Sequence, residues 1–415
     1  MMSDQLPEGW VWVRIKDVIS QISLTNRKLH QRDYLDGGSY PVVDQGQKLI
    51  GGYTDQDLLV PCELPVIVFG DHTKAIKFID FPFVAGADGI KVIKPDKVFF
   101  AKLFYYFLFA IELPNKGYAR HFQYLEKEFI PLPPLAEQER IVAKIEALFS
   151  QLDAGVAALR RIQAALKRYK ASVLKAACEG RLVGQDPTDE PAEALLRRLG
   201  KAPLVDDDLP ALPEGWCWVR VGEVAEINPK DALIRTLPDS LPVSFVPMAA
   251  VDAYLGIVLN PEEQPLGKVR KGYTQFSNGD VLFAKITPCM ENGKAAIAYD
   301  LLNNRGFGST EFHVLRPCKA VNAQWLFHFI RQERFRSEAK AHFTGTAGQL
   351  RVPITFLSNY QMPLPPLIEQ QRIVVEIEHR LSIIVEVESI VSALLARSAR
   401  LRQAILKQAF EGKLV

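Results

Sequence analysis

Several loops of the chain combine the kinds of side chain that contact nucleic acids. Cations can neutralise phosphates, amides and hydroxyls can reach base edges, and aromatic rings can stack on bases. In the amino-terminal half the candidate residues are Lys48, Tyr53, His72, Thr73, Lys74, Lys77, Lys116, Tyr118, Arg120, His121 and Gln123. In the carboxyl-terminal half they are Lys268, Arg270, Lys271, Tyr273, Lys285, Thr287, Asn292, Lys294, Ser309, Thr310, Thr344, Thr346, Gln349 and Arg351. Any one such loop is also typical of an ordinary solvated surface, so the argument for binding needs further support.

Sequence patterns of known catalytic centres are missing. The chain has no Gly-x-x-x-x-Gly-Lys-Ser/Thr loop for ATP, no Asn/Asp-Pro-Pro-Tyr/Phe methyltransferase motif, no His-Glu-x-x-His and no Gly-x-Ser-x-Gly. Its five cysteines stand singly, which favours reduced thiols over disulfides or a zinc site. Cys289 and Met290 are interpreted as local packing. These absences favour binding over catalysis, with no metal or cofactor held by this chain.

The composition is that of a globular protein with more than one domain. The chain has 415 residues, 48% of them hydrophobic and 24% charged, and a formal net charge of +2. Near-neutrality is mild evidence against a small basic protein that coats DNA, but a basic face can be balanced elsewhere. The first residues resemble no secretory signal, and no apolar run is long enough to cross a bilayer. We therefore expect a cytoplasmic location.

Three segments of the sequence occur twice. The copies begin at Leu6 and Leu212, at Pro131 and Pro363, and at Leu174 and Leu406. The first pair is offset by 206 residues and the other two by 232, so the second copy is 26 residues longer between the first and second segments. A stretch of constant length beside one of variable length and sequence indicates a rigid spacer that carries interchangeable modules. The predicted parts are modules at residues 1–130 and 212–362, spacers at 131–183 and 363–415, and a linker at 184–211.

Each spacer is predicted to be one long helix. Apolar residues recur in steps of three and four, which is typical of a helix with a coiled-coil seam. The predicted seam consists of Ile141, Ile145, Leu148, Leu152, Leu159, Ile162, Leu166, Tyr169, Val173, Ile373, Ile377, Ile384, Val387, Val391, Leu394, Leu401 and Ile405. The Pro-Leu-Pro-Pro run marks each helix start, and Gly180 and Gly412 suit the ends. A single stripe would suit an ordinary core helix, but two equal stripes with the same boundaries favour an antiparallel pair, each rod about 65 Å long.

The modules are predicted to be mixed α/β domains. Short β-branched or aromatic runs such as Val66–Phe69 and Phe312–Leu315 lie between turn residues, and helices are expected at Phe99–Ile111 and Ala323–Phe335. Two tryptophans alternate with other residues at the start of each module, which indicates a strand that anchors the module to the spacer. The fold class is therefore two α/β domains joined by two long antiparallel coiled-coil helices, with an internal pseudo-two-fold repeat.

The repeated segments resemble a known family. Pro131–Val142 and Pro363–Val374 look like the sequence that closes each target-recognition domain in the specificity subunits of Type I restriction-modification systems. Further resemblances to that family cover nearly the whole chain and are the Leu-Pro-Glu-Gly-Trp and Glu-Gly-Arg/Lys-Leu-Val segments, Lys285–Lys294, Gly308–Pro317 and Gly345–Pro353. The first module is the weaker match.

The resemblance implies a non-catalytic protein that reads double-stranded DNA. Each target-recognition domain would read one half of a split, asymmetric site, and the helix pair would set the spacing between the halves. Two methyltransferase subunits and the restriction subunits would be its partners, and S-adenosylmethionine, ATP and Mg²⁺ would be bound by those partners. Two alternatives stay open from the residues alone: a self-contained nuclease with an unrecognised centre, and a scaffold that binds proteins and no DNA.

Overall fold

The computed structural model describes residues 6–87, 89–114, 117, 120–206, 208–346 and 348–415. The chain forms two compact units, one made of residues 1–162 and 390–415 and the other of residues 163–389. The boundary between the units falls inside both long helices. Each unit therefore contains one module, the beginning of one long helix and the end of the other.

The first module consists of short strands and two short helices, followed by the first long helix. The elements are β1 (Val11–Arg14), β2 (Ile19–Ile22), β3 (Lys28–Leu29), β4 (Tyr40–Val43), β5 (Gly52–Thr54), β6 (Val66–Gly70), β7 (Ile76–Ile79), β8 (Val84–Gly86), β9 (Ile90–Pro95), α1 (Ala101–Leu108), α2 (Phe122–Leu125), β10 (Phe129–Leu132) and α3 (Leu135–Cys178). One sheet has the order β2-β9-β6-β7 and a second has the order β3-β8-β4-β5. The central strand β6 is buried throughout, as expected for a continuous β-branched and aromatic run.

The second half contains the linker helix, the second module and the second long helix. The elements are α4 (Ala192–Arg198), β11 (Cys217–Arg220), α5 (Val221–Val224), β12 (Ala225–Ile227), β13 (Pro242–Val246), β14 (Glu262–Pro265), α6 (Leu266–Val269), β15 (Thr274–Phe276), β16 (Val281–Ala284), β17 (Ala295–Ile297), β18 (Gly306–Gly308), β19 (Phe312–Pro317), α7 (Ala323–Ile330), α8 (Glu333–Ala341), α9 (Ile354–Asn359), β20 (Gln361–Leu364) and α10 (Leu367–Phe410).

The two modules share one topology although their sequences look almost unrelated. The sheet β12-β19-β16-β17 repeats β2-β9-β6-β7, and β13 pairs in parallel with β18 as β4 does with β8. The second sheets differ in one edge strand. In the first module this edge is β3, parallel to β8, whereas in the second it is β15, antiparallel to β18. The extra residues of the second module include α8, and the residues described between α1 and α2 form no helix of that length.

Both long helices lie inside the predicted spacers and have equal lengths of 44 residues. Each begins directly after its Pro-Leu-Pro-Pro segment because proline lacks the N–H that a helix interior needs. Each ends two residues before a glycine with positive φ, Gly180 (+66°) or Gly412 (+67°). A Cβ on either glycine would meet the ring of Pro213 or Pro7, so only glycine allows this close approach.

Along α3 the predicted seam is buried towards both ends and more open in its middle, whereas along α10 it is buried or half-buried from Ile373 to Val391 and exposed at Leu394 and Leu401. Its buried members are Ile141, Ile145, Val173, Ile373, Ile377, Ile384 and Val391, and its half-buried members are Leu148, Leu152, Leu159, Leu166, Val387 and Ile405. Ile162, Tyr169, Leu394 and Leu401 are 40–45% exposed, so the prediction that they lie in a buried seam is wrong. Most of the buried members belong to the cores of the modules, and the middle turns do not. An equal sequence rhythm therefore does not produce equal burial.

The same side chains join each module to the start of its long helix. Trp10 Nε1 donates to Glu137 Oε2 at 3.1 Å, and Trp216 Nε1 donates to Glu369 Oε2 at 2.9 Å. Strand β1 pairs with β10, and β11 pairs with β20 in the same register. We call these two sites the first and second junctions. The expectation that the tryptophan strands anchor the modules agrees with these contacts.

A buried glutamine strengthens each junction with three hydrogen bonds. In the first, the Gln138 amide donates to the carbonyls of Val98 and Pro133 at 2.9 Å and accepts from Phe100 N at 2.7 Å. In the second, the Gln370 amide makes the same three bonds, to Ala320 O, Pro365 O and Asn322 N, at the same distances. The junction is therefore duplicated at the level of individual atoms.

The segment predicted to be a linker is packed into the second unit. Its helix α4 matches the predicted turn or two of helix, and Ala192 and Leu196 are buried in the core of that unit. Leu204 N donates to Trp218 O at 2.7 Å, and Trp218 Nε1 donates to Pro210 O at 3.0 Å. The segment is a docked part of the second unit because its apolar residues face the second junction.

Two other expectations concern cysteines and membranes. All five cysteines are free thiols, and burial raises the pKa of Cys217 to about 12. Among the described residues, none of the helices has the length and apolar character needed to cross a bilayer.

Candidate nucleic-acid interface

Asp71 connects three loops of the first module. Its N–H donates to Gly89 O at 2.6 Å, and its own carbonyl accepts from His121 N at 2.8 Å. Its carboxylate also accepts from Phe122 N at 2.8 Å. Asp71 follows β6, Gly89 precedes β9 and His121 precedes α2, so these bonds bring together loops that are far apart in the sequence. We call this arrangement the first hub.

The loop after β4 also lies against the first hub. Thr73 Oγ1 donates to Gln45 O at 2.6 Å, and His72 N donates to Gln45 Oε1 at 3.4 Å. Four of the predicted residues carried by these loops are exposed, namely Lys48, Thr73, Arg120 and Gln123. His72 is half-buried. The structure therefore brings predicted residues from three sequence segments to one polar surface.

Several predicted contacts of the first module hold the loops in place and do not face outward. Lys77 is buried and its Nζ lies 3.4 Å from Asp44 Oδ1; burial lowers the pKa of this ammonium while Asp44 opposes the shift. His121 is fully buried, with Nδ1 3.0 Å from Asp71 O. Lys74 Nζ donates to the carbonyls of Leu113 and Pro114 at 3.3 and 3.0 Å. The prediction that Lys77 and His121 contact DNA is therefore wrong for this conformation, because neither side chain reaches the surface.

The remaining candidates of the first module lie in β5 and in the segment before and within α2. Tyr53 is half-buried in β5 and its backbone N–H and C=O are both bonded to Leu35. Gln123 Nε2 donates to Arg120 O at 3.0 Å, which ties two exposed candidates together. Lys116 and Tyr118 lie outside the described residues.

The second module repeats the hub at equivalent positions. Lys285, which follows β16, donates its N–H to Glu311 O at 2.9 Å, as Asp71 does to Gly89. The carbonyl of Lys285 accepts from Val352 N at 2.9 Å, just before α9. Thr287 N donates to Leu350 O at 3.0 Å in the same place. The three segments that resemble the Type I family in this module therefore meet at one point, which we call the second hub.

Charged side chains fill the second hub. Arg351 donates from Nε and Nη2 to the two carboxylate oxygens of Glu311, both at 2.8 Å. Hydrogen bonding from Arg351 lowers the pKa of Glu311. Burial lowers the pKa of Lys285, although Glu311 opposes the shift. Burial also lowers the pKa of His313, whose Nε2 lies 2.9 Å from Val352 O. The hub thus holds a paired anion and cation beside a second, partly buried cation.

The pair of Arg351 and Glu311 closes an exposed glycine-containing loop. Thr344 N donates to Arg351 O at 3.0 Å and Arg351 N donates back to Thr344 O at 2.9 Å. The guanidinium also donates to Gln349 O at 3.0 Å. Predicted residues exposed around this hub are Asn292, Thr310, Thr344, Thr346 and Gln349, while Thr287 and Ser309 are half-buried. Arg351, predicted as a candidate DNA contact, has its guanidinium paired with Glu311 in this conformation.

Another predicted group lies on α6 and on the turn that joins it to β15. Lys268, Lys271 and Tyr273 are exposed there, and the Tyr273 ring packs edge-on against Phe245 at 4.9 Å. Arg270 instead pairs with Asp239 at 2.9 Å. Lys294 Nζ donates to Met248 O at 2.9 Å. Arg270 and Lys294 therefore have structural partners, which corrects their prediction as free DNA contacts.

Sequence reasoning missed the residues that organise the hubs. Asp71, Gln45, Gly89 and Glu311 are not among the residues that the sequence predicts to contact DNA. An acidic residue beside a basic loop is unfavourable for binding a polyanion. A selection by residue type therefore leaves out Asp71 and Glu311. The described residues include no group of three or more His, Cys, Asp or Glu side chains placed to hold a metal ion.

Comparison with known proteins places these features in a family. The family model described as "Type I restriction modification DNA specificity domain" matches residues 7–164 and 213–387. Each match contains one module with its junction and the start of its long helix. The duplicated sequence is therefore detected as two copies of one domain.

Two relatives from Escherichia coli are similar over about half of the chain. The chain is 40% identical over 228 residues to the Type I restriction enzyme EcoEI specificity subunit, covering 50% of this chain and 38% of the relative. It is 38% identical over 242 residues to the EcoAI specificity subunit, covering 54% of this chain and 41% of the relative. The matches thus span about two-fifths of the length of these relatives.

A solved structure resembles the whole chain in fold. It comes from work on the complex assembly and conformational transition of the type I R-M system, with a TM-score of 0.63 and 20% sequence identity. The superposition covers 99% of this chain and 100% of that one. At this identity, the likeness concerns the fold alone.

Proposed function

The chain belongs to the family of Type I restriction-modification DNA specificity proteins, and from that membership we propose that it selects the DNA sequence on which such a system acts. The observation that carries the proposal is the pair of hubs. They share one set of backbone hydrogen bonds and hold different polar side chains. A protein that reads two unlike sequences with two copies of one fold needs this combination. The two Escherichia coli relatives are themselves named as specificity subunits.

Each hub is proposed to read one half of a split, asymmetric site in double-stranded DNA. Exposed cations such as Lys48 and Arg120 suit phosphates and guanine edges, and amides such as Gln123, Asn292 and Gln349 suit adenine edges. A few side chains per module are enough for a few base pairs. The positions that this proposal assigns to DNA are the exposed loop residues around Asp71 and Lys285.

The two long helices are proposed to set the distance between the half-sites as an antiparallel coiled-coil pair. In the first unit, the guanidinium of Arg402 on α10 lies 4.2 Å from the Phe149 ring of α3 and pairs with Asp153. In the second unit, Val173 of α3 and Ile377 of α10 share one core. Equal helix lengths support a spacer of constant length, about 66 Å for 44 residues at 1.5 Å each.

Catalysis is proposed to belong to partner subunits. Two methyltransferase subunits would dock on this chain and restriction subunits would join them, with S-adenosylmethionine, ATP and Mg²⁺ bound by those partners. The proposed location of the assembly is the cytoplasm. The chain would contribute sequence selection and no chemical step, and the partner subunits would share the phosphate contacts that a net charge of +2 does not supply.

The test combines binding and methylation. We expect the purified chain with its methyltransferase subunits to bind DNA with a strong salt dependence and to methylate one bipartite motif, identified by methylation-sensitive long-read sequencing. Replacing Lys48, Arg120 and Gln123 together by alanine should relax only one half of that motif. The matched triple replacement of Asn292, Thr310 and Gln349 should relax only the other half. DNA cutting by the chain alone, or an absence of DNA binding, would contradict the proposal.

A further inference from the structure

The second junction is covered by the linker segment. Ala192 N donates to Gly215 O at 2.9 Å, and Ala192 and Leu196 of α4 are buried in the same core as Cys217. Arg372, in the first turns of α10, donates to both carboxylate oxygens of Asp189 at 3.2 and 2.5 Å. An acidic residue followed by a short helix with an apolar face therefore binds the start of α10.

The matching apolar residues of the first junction are exposed. Val11 and Cys217 are equivalent in the repeat, yet Val11 is 55% exposed and Cys217 is 9% exposed. Leu135 and Leu367 are also equivalent, and Leu135 is 54% exposed whereas Leu367 packs against the core of its unit. The β1–β10 register places Val11 opposite Leu132, three residues before Leu135.

The cation and the backbone of this site are repeated as well. Arg140 is the counterpart of Arg372, and its guanidinium has no hydrogen-bond or ion-pair partner among the residues that the structure describes. Gly9 is the counterpart of Gly215 and is exposed beside Pro134, as Gly215 lies beside Pro366. The first junction thus repeats Gly215, Leu367 and Arg372 as Gly9, Leu135 and Arg140, and among the residues that the structure describes no counterpart of the linker lies on it.

We propose that the surface of Gly9, Val11, Leu135 and Arg140, the α3-start surface, binds a short amphipathic helix of a partner protein. The helix would carry leucine and alanine on one face and an aspartate or glutamate just before its first turn, as α4 does with Asp189. A partner protein is favoured over a second copy of this chain because the linker of every copy already lies on its own second junction. The proposal does not depend on which DNA is read.

The experiment uses the full chain and a fluorescent peptide of residues 184–203 as the probe. We expect saturable binding that weakens about fivefold in Arg140→Glu, as for a surface ion pair, and more than tenfold in Leu135→Asp, which removes apolar contact. Arg161→Glu, an exposed change further along α3, is the matched control and should leave binding unchanged. A peptide with Asp189→Arg should bind Arg140→Glu better than the unmodified peptide does.

A second measurement is needed if the free peptide binds too weakly to detect, because forming a short helix from a disordered peptide costs free energy. Residues 184–203 are fused after Val415, where they follow Glu-Gly-Lys-Leu-Val, the counterpart of the Glu-Gly-Arg-Leu-Val segment that precedes the linker, so their effective concentration is high. Hydrogen exchange should then slow at residues 9–14 and 133–142, and Arg140→Glu should reverse the protection.

Several results would overturn the proposal. One is the absence of both peptide binding and protection in the fusion. Another is binding that is lost in Arg372→Glu and kept in Arg140→Glu, since the peptide would then exchange with the docked linker. Self-association abolished by Arg140→Glu would assign the surface to a second copy, and competition by duplex DNA would assign it to nucleic acid.

Discussion

Asp71 and Lys285 occupy the same place in the two modules and carry opposite charges. Each follows the central strand of its first sheet and donates its N–H to the loop before β9 or β19, at 2.6 and 2.9 Å. Each also accepts from the segment before α2 or α9. The hub bonds are made by backbone atoms, which every residue type can supply. Side chains at the hub are therefore free to differ, and the two modules use that freedom.

The junctions behave in the opposite way. Their hydrogen bonds come from the indole, carboxylate and amide groups of Trp10, Glu137 and Gln138 and of their counterparts in the second half. A bond made by a side chain requires that residue type, so the junction sequence is repeated while the loop sequence is not. This difference explains why the sequence repeat is visible at the ends of the modules and is lost inside them.

The largest expected effect tests whether the junctions are equivalent. Trp10→Ala and Trp216→Ala should each lower the free energy of unfolding of their own unit by about 4 kcal/mol, the usual cost of removing a buried tryptophan. Urea titration followed by hydrogen exchange would measure each unit separately, with Val11→Ala as an exposed control. Costs that differ by more than about 2 kcal/mol would contradict the equivalence.

Low pH should lower the free energy of unfolding of the second unit more than that of the first. Burial lowers the pKa of His328 on α7 to about 3, whereas its counterpart on α1 is Tyr106, whose pKa burial raises to about 12. Since the unfolded histidine binds a proton below about pH 6.5 and the folded one does not, the free energy of unfolding should fall by about 1.4 kcal/mol per pH unit between pH 6.5 and 3. His328→Tyr should remove that slope from the second unit. Urea titrations at pH 7, 5.5 and 4.5 would measure it, and an unchanged slope would show that another group is responsible.

A change of charge at one hub should alter the DNA affinity at one half-site and leave the other unchanged. Given the proposed function, Lys285→Met should weaken binding about tenfold at the second half-site, because a cation near phosphate and base edges is lost. Asp71→Asn keeps an acceptor for Phe122 N and removes a negative charge, so binding at the first half-site should tighten about twofold. Oligonucleotides altered in one half-site at a time would measure both effects. Loss of both half-sites in either variant would indicate unfolding instead.

The smallest effect distinguishes the exposed cation of Lys268 in α6 from the paired cation of Arg270 at the end of the same helix. Lys268→Ala should lower the salt slope of DNA binding by about one unit, because one phosphate contact is lost. Arg270→Ala should leave the slope unchanged and cost less than about 1 kcal/mol of stability, since the guanidinium pairs with Asp239. Equal salt slopes in the two variants would mean that the pairing with Asp239 does not persist in the complex.

Residue type predicted the elements better than it predicted the exposed side chains. The strands around Val66 and Phe312, both long helices and α4 lie where the sequence places them. Lys77 and Arg351 are residue types that often contact DNA. In the fold, each pairs instead with a carboxylate from a remote part of the sequence. A local sequence pattern cannot predict such a partner, because Asp44 and Glu311 lie 33 and 40 residues away along the chain.

The sequence by itself determined the duplication, the equal lengths of two long helices between proline and glycine, and the side chains of the junctions. These depend on local rules: proline and glycine delimit helices, and a side-chain hydrogen bond needs its residue type. Only the tertiary structure decided which loops meet at Asp71 and Lys285, which cations stay exposed, and that the linker packs on the second junction. Those outcomes depend on contacts between distant segments, and the offset of 232 residues that revealed the repeat could not distinguish a covered Cys217 from an exposed Val11.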